Sequence, residues 1–271
     1  MGGRREGASC ERFELIDTHC HVDLLPSEMR GSAYWRTVYE AGVTRLVIPG
    51  LQVEQWSAIT RLNTSPVTFY CAAGLHPWRI KSDSCSSVAV QTIITSLRRA
   101  LKSDLIVAVG ECGLDGCIAV PLAEQVPVFE AQVQLAIECE RALMVHARGA
   151  HQALMGVLKR YAPPKGGVIH AFSGSYEMAK AYWDRGFYLG VGGTITYPRA
   201  NKTRRALAKM PLAALLLETD SPDMPLCGYQ GQPNGPLRLP EVAVALAALQ
   251  GLTVDRVAEI TTANAMRCFE W

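Results

Sequence analysis

The sequence predicts an α/β protein folded as a TIM-type (β/α)₈ barrel with an extra C-terminal helix. Three observations predict it. Eight apolar bursts of strand length alternate with helix-periodic segments, 271 residues suit one barrel, and the chemically active side chains fall at the ends of the bursts. The bursts are Glu14–Asp17, Thr44–Pro49, Val67–Gly74, Leu105–Gly110, Leu143–His146, Val168–His170, Phe187–Val191 and Ala214–Glu218. Helical spacing marks Glu28–Ala41, Glu54–Leu62, Val88–Leu101, Leu122–Arg141, Ala150–Tyr161, Tyr176–Arg185, Arg199–Met210 and Pro240–Leu249. A last amphipathic stretch, Val254–Arg267, is the extra helix. A doubly wound sheet has the same alternation, so periodicity alone does not choose between the two architectures.

Composition narrows the class. The chain is 49% hydrophobic and 19% charged, enough apolar surface for a large core and too much for disorder throughout. A formal charge of +2 gives no bulk signature of a nucleic-acid binder, although local basic patches remain open. Nine cysteines, an odd count with no C-x-x-C, read as reduced thiols and make the expected location cytoplasmic. Residues 1–12 are rich in Gly and Arg without the apolar centre of a signal peptide, so a flexible tail is expected before a single domain spanning 13–271. No apolar run reaches spanning length, and neither a membrane nor an obligate protein partner is expected. The Pro- and Gly-rich segment Ser221–Leu239 follows the eighth burst, where a barrel places a loop at its active mouth.

Of six histidines, five stand at or just beyond a strand end: His19 and His21, His76, His146 and His170. Glu111 closes LIVAVGE and Asp220 closes LLLETD. A parallel barrel gathers all these ends on one face. His19-x-His21 has the period that turns both imidazoles to one side of a strand, where they can chelate an ion, although H-x-H also arises by chance. A carboxylate buried at an apolar strand end needs a cation or a hydrogen-bond network, or it caps the following turn. Taken together, His19, His21, Glu111, His146, His170 and Asp220 exceed what one tetrahedral ion uses, and they suit two divalent cations bridged by a carboxylate. Mixed nitrogen and oxygen donors do not select among Mg, Mn and Zn.

The segments DTHCHVD, GLHP, GECGLD, QVPVFEAQVQLA, VHAR, HAFSGS, GFYLGVGG and LLLETDSPDMP resemble the TatD family of metal-dependent deoxyribonucleases. VGGTITYPRANKTR and ETDSPDMPLCGYQGQPN are most similar to its YjjV-like branch. The resemblance covers nearly all of the chain after the tail. It implies a binuclear centre with His19, His21, Glu111 and Asp220 on one ion and Glu111, His146 and His170 on the other. It further implies hydrolysis of phosphodiester bonds, with DNA as substrate and attack from the 3′ end. Cys112 stands where the family usually has an aliphatic residue, and the segment after Asp115 is short.

On that reading Asp220 is the expected general base, and Glu111 and His76 share the catalytic work. His76, flanked by Gly74 and Pro77, is expected to be an exposed loop imidazole that donates to phosphate or leaving oxygen, or else a plain turn histidine. Arg148 is expected to contact phosphate, or to be an exposed helix-start residue. Glu218 is expected to support the site or to join His76 on an additional ion; a buried pair with a basic neighbour is the alternative. Arg199, Lys202, Arg204 and Arg205 could guide a polyanion or simply be solvated. Trp78 and Tyr197 could stack on unpaired bases or pack ordinarily. Cys20 is expected to face the core. Two rival functions stay open: an amidohydrolase-type enzyme acting on a small phosphoester, lactone or amide, and an inactive binding barrel. Against the first, no lysine stands near the end of the fourth strand.

Overall fold

The computed structural model describes residues 13–62, 66–81 and 86–271, so the expected tail lies outside the described residues. The eight strands are β1 (Leu15–Asp17), β2 (Val43–Pro49), β3 (Thr68–Ala73), β4 (Ile106–Asp115), β5 (Ala142–Arg148), β6 (Gly167–Ile169), β7 (Phe187–Val191) and β8 (Leu215–Leu217). They form one sheet in chain order with parallel pairing from β1 through β8. The amide and the hydroxyl of Thr18 both donate to Leu217 O, at 3.0 and 2.9 Å, linking last strand to first. This is a barrel, and the doubly wound alternative is excluded.

Helices α1 (Ser32–Glu40), α2 (Val53–Ile59), α3 (Ser87–Ala100), α4 (Leu122–Glu138), α5 (His151–Tyr161), α6 (Tyr176–Trp183), α7 (Asn201–Lys209) and α8 (Leu239–Gln250) each follow a strand, and α9 (Val254–Phe269) ends the chain. Local chemistry sets their limits. Ser175 and Thr253 accept from Met178 N and Arg256 N, each at 3.3 Å, and so cap α6 and α9. Gly251, at φ +67°, takes the left-handed turn that stops α8.

Alternation along the strands divides the core. Leu46, Ile48, Leu143, Val145, Leu215 and Leu217 join the large cluster shared with the helices. Their neighbours Val47, Met144 and Leu216, with Ile16, Ala72 and Val168, form a second cluster together with Ala265, Cys268 and Phe269. The last turns of α9 therefore close the barrel interior, which is filled rather than open. No single helix among the described residues is long and apolar enough to cross a membrane. The described cysteines are free thiols, and Cys20 is buried in the large cluster as expected.

Two boundaries differ from expectation in ways that matter. The strand expected to end at Gly110 runs on to Asp115, because the ladder with β5 resumes after an irregularity and pairs Cys112 with Val145 and Asp115 with Arg148. The helix expected from Glu28 starts at Ser32, after a separate single turn at Ser27–Met29. Segment 221–238 is irregular, as its composition implies, except for one turn at Pro236–Arg238, and α8 begins at Leu239. The buried Asn234 amide fastens it by donating to Thr219 O at 2.8 Å and Asp223 O at 2.9 Å.

Candidate metal centre

Each candidate side chain is carried by the end of a strand or the residues just after it. His19 and His21 follow β1, His76 follows β3, Glu111 lies inside β4, and His146 lies inside β5. His170 follows β6, while Glu218 and Asp220 follow β8. Asp220 and Ala171 adopt left-handed backbone, at φ +55° and +45°. For non-glycine residues that conformation costs roughly 1 kcal/mol each, and it re-aims the chain just beyond β8 and β6.

The centre is organised around Glu111, which is 2% exposed. Its Oε2 lies 3.3 Å from His19 Nε2 and 3.8 Å from His21 Nε2. Its Oε1 lies 2.8 Å from His170 Nε2, 3.1 Å from His146 Nδ1 and 3.2 Å from His76 Nε2. One carboxylate thus presents a different oxygen to each of two imidazole groups. Asp220 Oδ1 stands beside the first group, 3.5 Å from His19 Nε2 and 3.7 Å from His21 Nε2.

Burial and charge set the ionisation. Burial raises the proton affinity of Glu111, but the imidazoles of His170, His76 and His19 outweigh it and hold the carboxyl well below its usual range. Burial depresses His170, yet the Glu111 carboxylate pushes it up to about 10. Burial keeps His19 and His21 below the ordinary histidine value. It also raises Asp220 to about 8, against the opposing pull of His170. Glu218, also raised by burial, reaches about 7.

These donors fit a divalent cation. Among the described residues, both ring nitrogens of the wholly buried His19 lack a hydrogen-bond partner, as do Nδ1 of His21 and of His170 and Oε2 of Glu218. Leaving such atoms unpaired costs about 1–3 kcal/mol each, and coordination removes that cost. Among the described residues, three sets have donor atoms close enough to share an ion: His19, His21 and Glu111; His76, Glu111 and His146; and His19, His170 and Glu218.

Several expectations need correction. His76 is buried, not exposed: its amide pairs with Leu51 O at 3.0 Å, and its Nδ1 accepts from Trp78 N at 3.1 Å. Among the described residues no set joins His76 to Glu218, because Glu218 lies with His19 and His170. Its Oε1 accepts from the Ala171 amide at 2.5 Å, and the basic neighbour that acts on it is His170, which shares a candidate ion site with it. Gly190 gives it room, since a Cβ there would overlap the carboxylate. Arg148 ends β5 as an exposed strand residue, not a helix start. In the basic cluster, Arg199 lies 4.9 Å over the Tyr197 ring, Arg204 donates to Ile195 O and Arg205 Nε donates to Asn201 O at 3.3 Å, so three of the four cations have local partners.

The structure also reveals two acids that sequence reasoning passed over. Asp115 accepts from Trp78 Nε1 at 2.8 Å and lies 3.1 Å from His146 Nε2, which leaves Nδ1 of that ring facing Glu111. Its signal was its place four residues after Glu111, on the same side of a strand expected to have ended. Asp17 accepts from His19 N at 3.2 Å, Thr219 N at 3.0 Å and Thr219 Oγ1 at 2.7 Å. It thereby fixes the segment bearing His19 against the segment bearing Asp220.

Comparison with known proteins identifies the family. The model of the family described as TatD related DNase matches residues 16–270. The chain is 39% identical over 256 residues to the uncharacterized metal-dependent hydrolase YjjV of Escherichia coli K12, covering 94% of this chain and 97% of that protein. It is 32% identical to the uncharacterized metal-dependent hydrolase TatD of Mycobacterium tuberculosis, covering 94% and 97% of the two chains. The crystal structure of the Escherichia coli YjjV protein superposes with a TM-score of 0.86, over 95% of this chain and 98% of that one. The chain belongs to the TatD-related DNase family of metal-dependent hydrolases.

Proposed function

We propose that this protein is a deoxyribonuclease that uses two divalent cations to hydrolyse phosphodiester bonds, releasing nucleotides from the 3′ end of DNA. The observation that carries the reading is the division of Glu111, with Oε2 toward His19 and His21 and Oε1 toward His146 and His170. His19, His21, Glu111 and Asp220 would hold one cation, and Glu111, His146 and His170 the other. Bound there, such cations supply Lewis-acid activation of water and neutralise phosphate oxygens.

The chain's own groups do the rest. Asp220 is the most exposed of the carboxylates around Glu111, with 15% of its side chain accessible, and that access suits it to take a proton from the attacking water. Asp115 fixes the His146 ring and Asp17 fixes the backbone under His19, so donors are oriented before substrate arrives. His76, with Nε2 at Glu111 Oε1, would adjust the charge of the Glu111 carboxylate or donate toward the leaving oxygen. Glu218 would support the His170 turn through the Ala171 amide. Arg148, exposed at the rim, would take phosphate.

The test combines metal analysis with digestion of defined single- and double-stranded oligonucleotides in Mg²⁺, Mn²⁺ or Zn²⁺. We expect about two ions per chain and mononucleotide products, both abolished by chelation. Asp220→Ala should lower turnover by roughly 10²–10⁴-fold, the usual scale for losing a general base. A protein that binds no divalent metal, or that cleaves only small amides or lactones, would overturn the reading.

A further inference from the structure

Trp78 is the most exposed aromatic side chain among the described large hydrophobic residues, at 57% accessible, yet it is fastened on two sides. Its indole Nε1 donates to Asp115 Oδ2 at 2.8 Å, and its amide donates to His76 Nδ1 at 3.1 Å. The ring meets His76 edge-to-face at 5.1 Å and lies 6.2 Å from the His146 ring. An exposed indole held only by its apolar contacts would sample several rotamers. Here the polar edge is tied to the carboxylate that orients His146, so the free face is fixed relative to the metal centre. Presenting a large flat apolar face to water is unfavourable unless something covers it, and fixing it in advance lowers the entropy lost on binding.

Charge beside this face points to what covers it. Arg148 stands opposite Asp115 in the β4–β5 register, and its carbonyl accepts from Gly116 N at 2.7 Å. Its side chain is exposed, as is that of Arg79, the residue next to Trp78. A fixed flat apolar face, with the exposed guanidinium of Arg148 on the strand paired with its Asp115 anchor, matches a ligand with a π face joined to phosphate, which is a nucleotide. We propose that Trp78 is the stacking platform for a substrate nucleobase and that Arg148 takes a neighbouring phosphate, so the site selects base-bearing phosphodiesters over other phosphoesters. This rests on the phosphodiesterase reading above and adds the feature of the substrate that is recognised.

The experiment compares wild type, Trp78→Ala and Trp78→Phe on two oligonucleotides. One is ordinary, and the other carries abasic tetrahydrofuran residues at the end being cleaved. On the ordinary strand Trp78→Ala should raise KM about tenfold or more, the scale of losing one base–aromatic stack, and Trp78→Phe should restore most of it. On the abasic strand wild type should already have the high KM, and Trp78→Ala should add little. Any change in kcat common to Trp78→Ala and Trp78→Phe reports the lost bond to Asp115 and is read separately. Equal KM increases on both strands, or no rescue by Phe, would overturn the proposal.

If metal-loaded wild type cleaves neither strand, the phosphodiesterase reading fails by itself. Fluorescence then decides the stacking claim. A deoxynucleoside 5′-monophosphate should quench wild type more than Trp78→Phe, whereas deoxyribose 5-phosphate should quench neither. Identical quenching by the two ligands sinks the proposal.

Discussion

At the scale of single residues, the site is a competition for protons that metal must win. His170 is pushed up to about 10 by Glu111 despite burial, so near neutral pH its ring carries a proton before loading. A cation needs that nitrogen neutral, so loading expels the proton and apparent affinity rises with pH up to about 10. Calorimetry in buffers of different ionisation enthalpy measures the release, and a net proton release of zero near pH 7 contradicts the assignment of His170. Removing the acceptor behind His146 tests orientation: Asp115→Ala should weaken metal binding by about 10–100-fold while preserving the circular dichroism spectrum. Such roles were unevenly legible. His19, His21, Glu111, His146, His170 and Asp220 announced themselves because imidazoles and acids are rare at apolar strand ends. Asp17 did not, because its partner Thr219 is 202 residues away and only barrel closure brings them together. His76 looked like an exposed turn residue because Gly and Pro flank it. Its ring is buried against non-local groups, Glu111 and His146, that local sequence does not announce.

At the scale of elements, β4 has the strongest consequences. Its extension past Gly110 places Glu111, Gly113 and Asp115 along one strand beside β5, which carries His146. Gly113, at φ +141°, lies so close to β5 that a Cβ would overlap the His146 carbonyl oxygen. Neither a side chain nor that backbone angle is accommodated without separating the strands. Gly113→Ala should therefore destabilise the fold by about 2 kcal/mol or more, a fall in melting temperature of roughly 4–8 °C for a domain of this size. It should also depress activity beyond what the lost stability explains, because His146 moves with β5. Thermal melts alongside turnover measured well below the transition check both, and an unchanged melting temperature refutes the packing claim. The sequence read the helices within a few residues because caps such as Ser175 and Thr253 act locally. It ended β4 early because Gly110, Glu111 and Gly113 break the apolar run that marks a strand.

At the scale of the whole molecule, alternating strands and helices announced an α/β fold but did not say whether the sheet closes. Closure is a contact between the two ends of the chain, Thr18 on Leu217 and Asp17 on Thr219, and no local pattern encodes it. The ligands supplied the missing information, because only a ring brings residues following β1, β3, β6 and β8 against Glu111 in β4 and His146 in β5. Metal should accordingly act as a staple across the barrel. Anything that binds the folded chain alone adds stability as RT ln(1 + [L]/Kd), about 2.7 kcal/mol at a hundredfold excess over Kd. For a domain of this length that is a rise in melting temperature of roughly 5–10 °C on loading, reversed by a chelator. The rise should shrink in His19→Ala and in His170→Ala, which take a ligand from each of the two proposed ions. Because β1 and β6 lie on different parts of the ring, losing either should also loosen closure, seen as faster amide exchange at Thr18, whose amide bonds to β8. Equal melting temperatures with and without metal, across a concentration range that saturates binding, would mean that the cations do not bridge these strands.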